Sequence, residues 1–69
     1  MSKFLEIADR QLREIEKKTK EKPPGDEQAR CLWICTRIRE MIIAAQVREE
    51  LGKSITVNER NIEETFKMI

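Results

Sequence analysis

The sequence predicts an all-α fold: an antiparallel helical hairpin and a short third helix, assembled as a homo-oligomeric bundle. Three observations lead there. Apolar residues recur at steps of three and four from Met1 to Ile15 and again from Cys31 to Ala45, the period of a helix face. Pro23-Pro24-Gly25 is the one strong break, and it separates the two periodic segments by a few residues only. No strand pattern, internal repeat or low-complexity segment is present. The chain reads as one domain, 1–69, divided into helix 2–21, turn 22–26, helix 27–51 and helix 57–69.

The first helix carries Met1, Leu5, Ala8, Leu12 and Ile15 on one face, and Phe4 widens the stripe. The other side holds Glu6/Arg10, Asp9/Arg13, Glu14/Lys18 and Glu16/Lys20, each an acid four residues before a base, the favourable order. Lysines gather at the C-terminal end, where the helix dipole favours cations. Pro23 pushes Lys22 out of helical geometry. Asp26 stands where an N-cap would start the second helix, with Glu27 in the first turn. So short a connection makes an antiparallel hairpin.

The second helix, about 38 Å long, has the matching stripe Cys31, Ile34, Cys35, Ile38, Met41, Ile42 and Ala45. Further apolar residues lie on its far side: Leu32, Trp33, Ile43, Ala44, Val47 and Leu51. A helix with one neighbour needs one stripe, so this helix is central to a bundle or lies in a subunit interface. Gly52 ends it in the manner of a C′ glycine. For the third helix, Thr56 and Glu59 have capping-box spacing, while Asn58 as cap gives Val57 and Ile62 staple spacing; both starts remain open. Ile62, Phe66 and Ile69 form its apolar face.

At 69 residues the chain is near the size at which a domain needs outside help. Cys31 and Cys35 share a helix face, where a disulfide would be strained. Two cysteines without a histidine cannot complete a tetrahedral zinc site. They read as small buried thiols, consistent with a cytoplasmic setting. That leaves self-association, a dimer or a larger ring. Its candidate interface residues are Leu32, Trp33, Ile43, Val47 and Phe66.

Fourteen basic and thirteen acidic residues give a net charge of +1, which disfavours a nucleic-acid partner. The stretch Arg10–Lys22 has a local basic excess that reads as a solvated helix end. Charges at Lys3, Glu6 and Asp9 argue against a secretory signal, and no apolar run is long enough for a membrane span. With no histidine or tyrosine, two isolated glycines and only Ser2 and Ser54 as serines, no catalytic cluster or phosphate loop forms. The expectation is a non-enzyme with no cofactor and no metal. It would act as a protein-binding adaptor, its partner itself or, in a viral setting, a host protein. A helix-turn-helix reading of Leu51-Gly52-Lys53-Ser54-Ile55-Thr56-Val57 with Ile62 is weaker. Lys53 sits where that motif wants an apolar residue, and Glu59, Glu63 and Glu64 repel phosphates.

One segment carries a resemblance. Pro23-Pro24-Gly25-Asp26-Glu27, followed by Leu32-Trp33-Ile34-Cys35-Thr36-Arg37-Ile38-Arg39-Glu40, resembles the hairpin of the phage anti-CBASS and anti-Thoeris sponge proteins, which capture cyclic nucleotide signals. The resemblance spans residues 23–40. It implies a small all-helical oligomer that holds an anionic ligand between protomers without catalysis. Thr36 and Arg37 match the family's Thr-Lys pair, Glu40 matches one of its acids, and Arg30 lies near its arginine but out of register. The ligand-binding candidates are therefore Arg30, Thr36 and Arg37, with a cyclic nucleotide as the implied partner.

Overall fold

The computed structural model describes residues 2–69. It consists of α1 (Lys3–Glu21), α2 (Asp26–Glu50) and α3 (Thr56–Phe66), with no strand among the described residues. Helices α1 and α2 form the antiparallel hairpin, and α3 folds back mainly onto α2, touching α1 lightly. The result is a rod of 42 × 16 × 16 Å.

Helix α1 starts where a side chain can satisfy its free amides. Ser2 is the N-cap, its Oγ accepting from the Leu5 N–H at 3.2 Å. The Ser2 N–H donates to Glu49 Oε2 at 2.9 Å, fastening the open end of the hairpin to α2. Met1, placed by periodicity at the head of the stripe, lies outside the described residues. Leu5, Ala8 and Leu12 are buried, with Phe4 and Ile15 half-buried beside them. Thr19 continues the stripe one turn past Ile15 and is buried too. Its hydroxyl donates to the Ile15 carbonyl at 2.7 Å, so it enters the interface satisfied.

At the closed end, Lys22 is extended ahead of Pro23. The Gln28 amide nitrogen reaches back and donates to the carbonyls of Thr19 (3.1 Å) and Lys22 (3.2 Å). One side chain of α2 thus adds a second donor to the Thr19 carbonyl, which already accepts from the Lys22 N–H at 3.1 Å, and supplies one to the Lys22 carbonyl just past the end of α1. Asp26 is not the N-cap that its type and position suggested. Gly25 occupies that place with extended backbone and no capping side chain, and Asp26 is the first helical residue. Its charge, with that of Glu27, acts on the helix dipole instead.

Helix α2 buries Cys31, Ile34, Cys35, Ile38, Ile42 and Ala45, with Met41 half-buried. Leu51 is its C-cap rather than its last helical residue. Gly52 follows at φ +73. Its N–H donates to the Glu49 carbonyl at 3.0 Å, and the Lys53 N–H to the Arg48 carbonyl at 2.9 Å, the two bonds of a Schellman motif.

Helix α3 begins at Thr56, and its cap position is Ile55, which offers no side-chain acceptor. Neither Thr56 nor Asn58 caps it. Ile62 is fully buried, Ile55 and Phe66 pack half-buried on the core, and the Thr65 hydroxyl lies 3.6 Å from Met41 Sδ. The helix ends at Phe66, so Ile69 leaves the apolar face assigned to it and is 43% exposed.

The core is one layer of side chains: Leu5, Ala8 and Leu12 against Ile34, Cys35, Ile38, Ile42 and Ala45, closed by Ile62. The chain exposes 5238 Å², whereas a globular monomer of this mass exposes about 4,500 Å². A rod one core layer thick leaves more surface in water than its size requires.

Candidate interaction face

The surplus surface concentrates on the outer side of α2. Residues seven apart return to nearly the same angle on a helix. Trp33, Glu40 and Val47 therefore lie in line, flanked by Thr36 and Ile43 on one side and Ala44 and Leu51 on the other. Read along the axis, Trp33, Thr36, Glu40, Ile43, Val47 and Leu51 follow steps of three and four. That is a coiled-coil-like seam on the side away from the core. Trp33 is 60% exposed, Ile43 53%, Val47 49% and Leu51 66%. Leu32 is half-buried at one edge of the seam, and Arg37 and Arg48 stand exposed at the other.

The Arg37 guanidinium carbon lies 5.6 Å from the centre of the Trp33 ring, a cation–π contact that orders both side chains. The Thr36 hydroxyl donates to the Leu32 carbonyl at 3.0 Å. Glu16, assigned by spacing to Lys20, instead pairs with Arg39 across the hairpin. With Ser2–Glu49 and the Gln28 bonds, this ties α2 to α1 at both ends and in the middle and holds the outer face in a fixed orientation.

Of the interface candidates, Trp33, Ile43 and Val47 stand on the seam and Leu32 at its edge. Phe66 does not: α3 lies over Met41, and Phe66 packs on the chain's own core. The ligand candidates Arg30, Thr36 and Arg37 are all exposed on α2. Arg30 and Arg37 share an edge, seven residues apart. Consecutive helical residues project about 100° apart, which puts Thr36 and Arg37 on opposite sides of Trp33. Within one chain the three do not surround a common cavity.

Two shallow depressions on α1 are lined by Glu6, Asp9, Arg10 and Arg13 and by Glu14, Lys17, Lys18 and Glu21, each on a single helix and of mixed charge. Cys31 and Cys35 are free and buried. Burial, then the nearby Glu16 carboxylate and Cys31, push the Cys35 thiol above its usual range. A thiol kept protonated in this way is a poor nucleophile. No helix among the described residues is long and apolar enough to cross a membrane.

No family model matches the chain, and neither a curated protein nor a solved structure matches it.

The part of the face least visible in the sequence is its continuity. Glu40 belongs to the seam as much as Trp33, Ala44 and Leu51 do, and the signal for it is the seven-residue spacing through Trp33, Glu40 and Val47, which its own charge conceals.

Proposed function

We propose that this chain is a non-enzymatic helical interaction module that works as a homo-oligomer, associating through the outer face of α2. The observation that carries the reading is the exposed seam from Trp33 to Leu51: four large apolar side chains, each about half exposed or more, on one face of a helix anchored from behind. Contiguous apolar surface rimmed by charge marks a protein contact, and tryptophan is enriched where binding energy concentrates. The excess exposed area of the rod supports the same reading, since association recovers burial that one chain cannot provide. Sedimentation velocity at two concentrations tests it. The wild-type protein sediments as a species heavier than 8.2 kDa, while Val47→Lys sediments as a monomer with unchanged helical circular dichroism. An 8.2 kDa wild-type species at both concentrations overturns the proposal.

A second reading, capture of an anionic ligand such as a cyclic nucleotide between protomers, draws on one observation. Arg30 and Arg37 line an edge of the seam, so association along it brings arginines of two copies to the subunit boundary. Guanidinium pairs there suit phosphate. Thermal-shift measurements with cyclic di- and trinucleotides test it, and no stabilisation at saturating concentration removes it.

A further inference from the structure

We draw no further inference here: the strongest candidate, the exposed apolar face of α2 from Trp33 to Leu51, is the face already put forward for self-association, and nothing among the described residues shows what covers it or in which register.

Discussion

The two long sides of α2 hold comparable sets of large side chains and meet different surroundings. On the inner side Ile34, Ile38 and Ile42 are almost wholly removed from water, between α1 and α3. On the outer side Trp33, Ile43, Val47 and Leu51 keep about half or more of their surface in solvent. Composition alone does not separate the sides. The difference is the number of neighbours: two helices approach α2, both from the inner half, and nothing among the described residues reaches round it. The outer side is also interrupted by Thr36, Arg37 and Glu40, as suits a face that is wet in the single chain. The inner face makes the fold, and the outer face stays open to solvent in the single chain.

The largest test of this contrast is a pair of truncations. Ile38→Ala removes a side chain with no exposure and should cost about 2–5 kcal/mol in urea unfolding. Ile43→Ala, measured at concentrations where the protein is monomeric, should change stability by less than about 0.5 kcal/mol while weakening self-association. Equal losses would mean that the sides are not distinct.

Next in size is the clamp that orients the face. Gln28→Ala removes two bonds to α1 carbonyls and should cost about 1–2 kcal/mol, with faster amide exchange at the closed end of the hairpin. An unchanged urea midpoint would show that packing alone sets the pose of α2.

At the other end, Gly52→Ala should cost about 1 kcal/mol. The residue sits at φ +73 with open space where a Cβ would go, so the penalty is backbone strain alone. Asparagine there should cost less, and thermal unfolding of both variants checks the order.

The smallest effect concerns the inner face and pH. The folded Cys35 thiol binds its proton more tightly than the unfolded one, whose ordinary value is 9.0. Its contribution is therefore complete below about pH 9 and lost as pH rises through the higher folded value. Urea midpoints at pH 8 and pH 10 should fall further for wild type than for Cys35→Ala.

Much of this was legible beforehand. Three helices and the inner stripe of α2 follow from periodicity, because a helix that must bury one face repeats its apolar residues at 3.6. The helix starts were harder to read. Asp26 has the chemistry of an N-cap, yet the Pro-Pro-Gly turn brings the chain in one residue earlier, and Gly25 takes the position. Thr19 is in phase with Ile15 but is polar, and its local bond to the Ile15 carbonyl is what admits it to the core. Trp33 and Phe66 both carry apolar surface, and only the path of α3 separates their fates. It covers the core with Phe66 and passes on the side away from Trp33. The ligand candidates Arg30, Thr36 and Arg37 rest on the resemblance of residues 23–40, which places Thr36 and Arg37 side by side in the chain. On a helix, neighbours such as Thr36 and Arg37 point apart.

Burial of the outer face by a second copy, as proposed, would change the surroundings of its indole. Trp33, the only tryptophan, reports on it directly through its fluorescence emission over a dilution series. Self-association through this face predicts a blue-shifted maximum at high concentration that moves to the red on dilution, with the midpoint displaced to higher concentration by Val47→Lys. A maximum that stays at the value of a solvent-exposed indole across the whole series would contradict it.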